Sequence, residues 1–107
     1  MIRRNKDNGI VMTEGDYGLN LPITIKGGEM YKTDKVTFII KENSNENVIF
    51  TKNFTDIENN TFNFVLSKED SNKLPVGVYV YSLDWTRGED FLCNLIEKGL
   101  FVVEDKI

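Results

Sequence analysis

Apolar and polar residues alternate most cleanly where Leu19, Leu21, Ile23 and Ile25 point one way and Asn20, Pro22, Thr24 and Lys26 the other. A period of two over that length predicts a strand with one wet face, and Pro22, which has no N–H to donate, belongs at an edge or a bulge. The longest strand-like run is Leu74 to Trp85. Pro75 and Gly77 punctuate its start, and Val78 and Val80 alternate with Tyr79 and Tyr81. With both faces apolar, it reads as a central strand covered on both sides, turning polar on one face at Ser82 and Asp84. Between these runs, Val36–Lys41 sets Val36, Phe38 and Ile40 on one face, Val48–Phe54 is a further strand, and Phe62, Phe64 and Leu66 make a third inward ridge. Gly9–Thr13 reads as a first, edge strand. Phe91–Ile96 follows a hairpin loop at Thr86–Asp90, Glu97-Lys98-Gly99 breaks or bulges it, and Leu100–Val103 closes the domain.

Turn chemistry fills the gaps. Glu14-Gly15-Asp16, Gly27-Gly28, Asp56–Asn60 and the polar loop Glu42–Asn47, expected to be the most mobile internal segment, are punctuators. The one helical signal is Ser67-Lys68-Glu69-Asp70, where the Ser67 hydroxyl can accept from the Asp70 amide and the acid suits the positive helix end. It predicts only a turn or two, with Leu74 plugging the core beneath. Seven or eight strands at about ten-residue spacing, with no sustained helical period, predict an all-β chain: an immunoglobulin-like β-sandwich of antiparallel strands with one short helical turn. A small barrel is the second architecture.

Composition narrows the functional classes. The 107 residues suffice for a single domain spanning 1–107, and Cys93, the sole cysteine, excludes an intrachain disulfide. Within an apolar strand Cys93 reads as a small buried hydrophobe. A net charge of −4 argues against nucleic acid and anionic membrane as partners. Arg3, Arg4 and Lys6, followed by Asp7, read as a solvated, frayed terminus. No apolar run reaches membrane-spanning length and the first residues lack a signal-peptide core, so a cytoplasmic location is expected unless the chain leaves its producer within a larger assembly.

Candidate chemistry is sparse. With no histidine, the usual base of nucleophilic catalysis and the common zinc patterns are missing. Carboxylates pair at Glu14 and Asp16, Glu69 and Asp70, Glu89 and Asp90, and Glu104 and Asp105, all in predicted turns or at the end of the chain. General acid–base work or a hard metal would require two of them to converge in a cleft. No loop has the regular oxygen spacing of a calcium motif, and Gly27-Gly28 lies between strands rather than opening a phosphate-binding helix. The Asn53 and Asn59 sequons carry little weight without a secretion signal. Tyr17, Tyr31 and Trp85, near strand ends, are the candidate interaction residues: exposed rings there could stack on a sugar or anchor an interface, whereas the plainer reading caps the core. No catalytic, cofactor or metal residue is expected.

Leu74-Pro75-Val76-Gly77-Val78-Tyr79 resembles the Leu-x-Pro-Gly-Thr-x-Tyr stretch of fibronectin type III domains, with a one-residue difference in spacing. That resemblance implies a tyrosine corner in which the Tyr79 hydroxyl bonds back to the preceding connection. Over nearly its whole length the chain is similar to phage and prophage domains related to the N-terminal domain of the baseplate upper protein. The similarity is carried by Gly15-Asp16, Asp34–Phe38, Phe64–Asp70 leading into Leu74–Tyr81, and Gly99–Val103. It departs from that pattern at Ser82, where aspartate is usual, and at Cys93. The resemblance implies a non-catalytic structural or adaptor module of a tail or baseplate, with other virion or tail proteins as partners, homo-oligomerisation through sheet faces or edges, and no cofactor. The alternatives are a carbohydrate-binding module using the exposed aromatics and a small enzyme built on the carboxylate pairs.

Overall fold

The computed structural model describes residues 2–4, 9–18, 20–42 and 47–105, and the side chains of all of these except 3, 4, 91–93 and 97. The chain is an all-β sandwich of eight strands in two sheets with one short helix. The strands are β1 (Arg3–Arg4), β2 (Ile10–Thr13), β3 (Leu21–Thr24), β4 (Lys35–Glu42), β5 (Asn47–Phe54), β6 (Thr61–Phe64), β7 (Gly77–Arg87) and β8 (Asp90–Glu104), with α1 (Lys68–Asn72) between β6 and β7. Six strands form one sheet in the order β1-β2-β8-β7-β4-β5, and β3 and β6 form a two-stranded second layer.

The alternating residues of β4 explain how the layers meet. Val36, Phe38 and Ile40 are fully buried. Phe38 packs edge-on against Phe64 of the small sheet at 4.9 Å, and Phe54 meets Phe62 at 5.5 Å. Ile10 and Met12 of β2, Phe101 and Val103 of β8, and Tyr79, Tyr81, Leu83 and Trp85 of β7 complete the inward face. Ile23 is buried as the Leu19–Ile25 ridge predicts, with Leu21 and Ile25 half-buried; Leu19 lies outside the described residues. Each large ring buried this way contributes roughly 1.5–3 kcal/mol relative to exposure, so this inner layer dominates the fold's stability.

The helix is held as its sequence predicts. The Ser67 hydroxyl accepts from the Asp70 amide at 3.1 Å, and the Asp70 carboxylate accepts from the Ser67 amide at 2.9 Å, a reciprocal capping box. Leu74 is buried after it. The Tyr79 hydroxyl donates to the Pro75 carbonyl at 2.8 Å, which is the bond the fibronectin-like stretch implies.

Several expectations are corrected. β2 is not an edge: it pairs with β1 on one side and runs parallel to β8 on the other, the one parallel pairing among otherwise antiparallel ladders. The basic start is paired, since Arg3 and Arg4 lie opposite Val11 and Ile10 and Ile2 is buried; Lys6 and Asp7 lie outside the described residues. Of the break or bulge expected at Glu97-Lys98-Gly99, the bulge is what forms. β8 runs through it, absorbing extra residues: Tyr81 to Leu83 is two steps while the facing Gly99 to Ile96 is three. β7 is covered on one face only, because the small sheet packs on the side of Tyr79 and Tyr81, while Val78 on the other side is 58 % exposed. Residues 43–46 of the Glu42–Asn47 loop, and the Cys93 side chain, lie outside what is described.

Candidate interaction surface

The outward face of the large sheet follows from its register. Val78 lies opposite Val102, and Val102 opposite Val11 of β2; one step along, Leu100 lies opposite Val80, Val80 opposite Lys41, and Lys41 opposite Val48. Directly opposed residues share a face, so these side chains form two adjoining rows across five strands. Leu100 and Val48 are each 49 % exposed, and Val11, Val80 and Val102 are half-buried. Scattered apolar residues on a surface signify little, but a contiguous set does. Farther along, the same face turns polar: the Thr37 hydroxyl donates to Asn53 Oδ1 at 2.8 Å, and Asn94 donates to Asp84 at 2.6 Å. One part of this face thus carries bonded polar side chains and the other is hydrocarbon crossed by Lys41, with Ile39 between them.

Two of the three candidate aromatics meet at one end of the sandwich, around a residue that carried no signal of its own. Asp34, fully buried, precedes β4. Its Oδ1 accepts from Arg87 Nε at 2.7 Å, and its Oδ2 accepts from Arg87 Nη2 at 2.9 Å, Trp85 Nε1 at 2.8 Å and the Tyr31 amide at 2.9 Å. The Arg87 hydrogen bonds act first, with the Tyr31 amide, the Trp85 indole and the Arg87 charge; together they outweigh burial and hold the Asp34 carboxyl well below the usual carboxylate range. Trp85 is only 9 % exposed and lies on the inward face of β7. Of the two readings of Trp85, the core cap holds and the exposed stacking ring does not: the strand's alternation turns it inward, against Gly28, with its one polar atom bonded. Tyr31 remains 52 % exposed, with the Arg87 guanidinium 3.6 Å from the ring centroid covering one of its faces. Asn60 ties this end together, accepting from the Met30 amide and donating to the carbonyls of Ile25 and Gly28. The arrangement clamps the loop between β3 and β4, with its hydrogen-bonding capacity turned inward.

Tyr17 is 53 % exposed on the loop before β3. The carboxylate pairs are used separately: Asp16 accepts from the Thr13 amide, and Asp70 accepts from the Ser67 amide and from Lys52 on β5. Burial raises the Asp70 proton affinity, but Lys52 and the Ser67 bonds lower it by more, leaving the net shift downward. Among the described residues, no group of three or more Cys, Asp or Glu side chains could hold a metal ion. A cavity of about 300 Å³ beside α1 is lined by Glu14, Gly15, Ser71, Asn72, Leu74 and Pro75. Glu14 is the one carboxylate lining it. No helix among the described residues is long and apolar enough to cross a membrane. No known protein family, curated protein or solved structure matches the chain.

Proposed function

We propose that the chain is a non-catalytic structural or adaptor module that works by protein–protein association, set in the tail or baseplate of a phage or prophage. The observation that carries the association reading is the pair of in-register apolar rows on the outward face of the large sheet, where Val78 and Leu100 are exposed beside Val80 and Val102. A desolvated apolar centre inside a polar rim is what protein interfaces use. The setting rests on the resemblance of the Asp34–Phe38, Phe64–Asp70 and Leu74–Tyr81 stretches to baseplate-related domains. The immunoglobulin-like reading is supported by the Tyr79 hydroxyl bond to Pro75.

The test is capture of partners by the tagged chain from a lysate of phage-infected bacteria, with crosslinks mapped by mass spectrometry. Virion proteins should be recovered by the wild type and lost with Val78→Lys combined with Leu100→Lys. Capture of no virion protein, or capture indifferent to those two substitutions, refutes the reading.

A further inference from the structure

We infer that the apolar part of the outward sheet face docks a different protein, one whose own apolar contact surface is margined by carboxylates that pair with Lys41 and Lys98. The inference rests on the association reading above and adds the chemistry of the partner. Val78, Val80, Leu100 and Val102 form two opposed pairs on β7 and β8, and the two lysines border them on different sides. Lys41, half-buried on β4, lies opposite Val80. Gly99 faces the inward ring of Tyr81, so its neighbours in β8, Lys98 and Leu100, are turned outward, and both are exposed.

Charge on this face is uneven. Among the described residues, neither lysine has a carboxylate partner. The acids of the same face are engaged: Asp84 accepts from Asn94, and Glu104, opposite Thr13, has a partner within the chain. A chain of net charge −4 thus borders its apolar block with unpaired cations. A second copy offers this face the same unpaired lysines, and a phosphate-bearing surface meets hydrocarbon between them. Apolar side chains margined by Asp or Glu match both the block and its border. With strands about 4.8 Å apart and same-face neighbours about 6.8 Å apart along a strand, Lys41 stands two strands from Leu100 and Lys98 one step from it along β8. The two lysine backbones are therefore about 12 Å apart across Val80 and Leu100, and carboxylates at about that spacing meet both ammonium groups while the block is covered. Such pairs at the margin of a dry contact choose the partner more than they add affinity.

The tagged full chain is mixed with a lysate of phage-infected bacteria and treated with carbodiimide, which joins an ammonium to a carboxylate only where the two touch, and the products are mapped by mass spectrometry. Lys41 and Lys98 should be joined to Asp or Glu of a captured virion protein. Lys41→Glu with Lys98→Glu should lower capture about tenfold, whereas Lys41→Arg with Lys98→Arg should hold it within about threefold of the wild type. Raising salt from about 0.05 to 0.5 M should lower wild-type capture several-fold. Circular dichroism melting confirms that each variant is folded. Capture that Val78→Ser with Leu100→Ser abolishes, but that the glutamate reversals leave unchanged, overturns the acidic partner and leaves the association reading standing. Couplings that lead from Lys41 and Lys98 only to a second copy of the chain overturn it as well. Binding to vesicles of equal parts phosphatidylglycerol and phosphatidylcholine, lost with the glutamate reversals and without capture of any virion protein, assigns the face to a lipid surface and overturns both readings.

Discussion

Replacing Asp34 by Asn keeps the shape of the side chain and removes its charge. In the wild type, Oδ2 takes three N–H donors and Oδ1 takes one. The amide oxygen can stand only in one of those places. Put at Oδ2, it keeps three bonds, each weakened from charge-assisted to neutral, and points an NH₂ at Arg87 Nε, donor against donor. Bonds to charged groups are worth about 1.5–3 kcal/mol and neutral ones about 0.5–1.5, so three bonds each weakened by about 1–1.5 kcal/mol and one lost would sum to about 4.5–7.5 kcal/mol. The Arg87 side chain is 34 % exposed and regains water, which reduces the sum. The expected loss is about 2–4 kcal/mol, lowering the melting temperature by on the order of 10–25 °C in a domain this small. Urea unfolding followed by the fluorescence of the single tryptophan, Trp85, and by far-ultraviolet circular dichroism measures it.

The same residue predicts a pH dependence. The folded Asp34 carboxyl titrates below its ordinary value of 3.8, so its contribution is fully present above that value and is lost as pH falls towards the folded one. Wild-type stability should therefore drop from about pH 5 downward, by at most about 1.4 kcal/mol per pH unit from this group. Asp34→Asn should flatten that limb, leaving the lesser share of Asp70. An asparagine variant within about 0.5 kcal/mol of the wild type, or with the same acid slope, would show that the buried cluster does not hold the β3–β4 loop.

Two further substitutions probe the packing of the two inward tyrosines of β7. Tyr79→Phe removes the hydroxyl that bonds Pro75 and should cost about 1 kcal/mol by urea midpoint; no loss would mean the corner contributes nothing to stability. Gly99→Ala places a Cβ inside the ring of Tyr81, which lies over Gly99 across the β7–β8 ladder, and should destabilise by about 1–3 kcal/mol in thermal melts; tolerance would show the ring can swing away.

What was legible in the sequence was local. Val36, Phe38 and Ile40 alternate, and one side of β4 is buried; Ser67 and Asp70 sit three apart, and the cap closes on itself. What was illegible depends on distant partners. Asp34 and Arg87 are separated by 53 residues, and a lone acid before a strand looks like any turn residue. The parallel alignment of β2 with β8 joins the two ends of the chain and leaves no periodic trace. The register slips in β8 let one strand pass through Glu97-Lys98-Gly99, where composition leaves a break and a bulge equally open.

The misreading of β7 is the informative one. Apolar residues on both faces of β7 suggest two covered faces, yet the pattern does not say what would cover either, and the structure covers one. The inner face is shielded by the small sheet. For the outer face, strand propensity alone accounts for Val78 and Val80, since β-branched residues suit a pleated backbone whether covered or not. It does not account for Leu100, which is not β-branched, sitting directly opposite Val80, or for the change within the same strands to Ser82, Asp84 and Asn94. If propensity alone set the outer face, it would act along the whole of β7; instead Val78 and Val80 give way there to Ser82 and Asp84, and Asp84 accepts from Asn94 of β8. A boundary of that kind is what the proposed association requires, an apolar centre with a polar margin, in which the second cover of β7 would come from a partner.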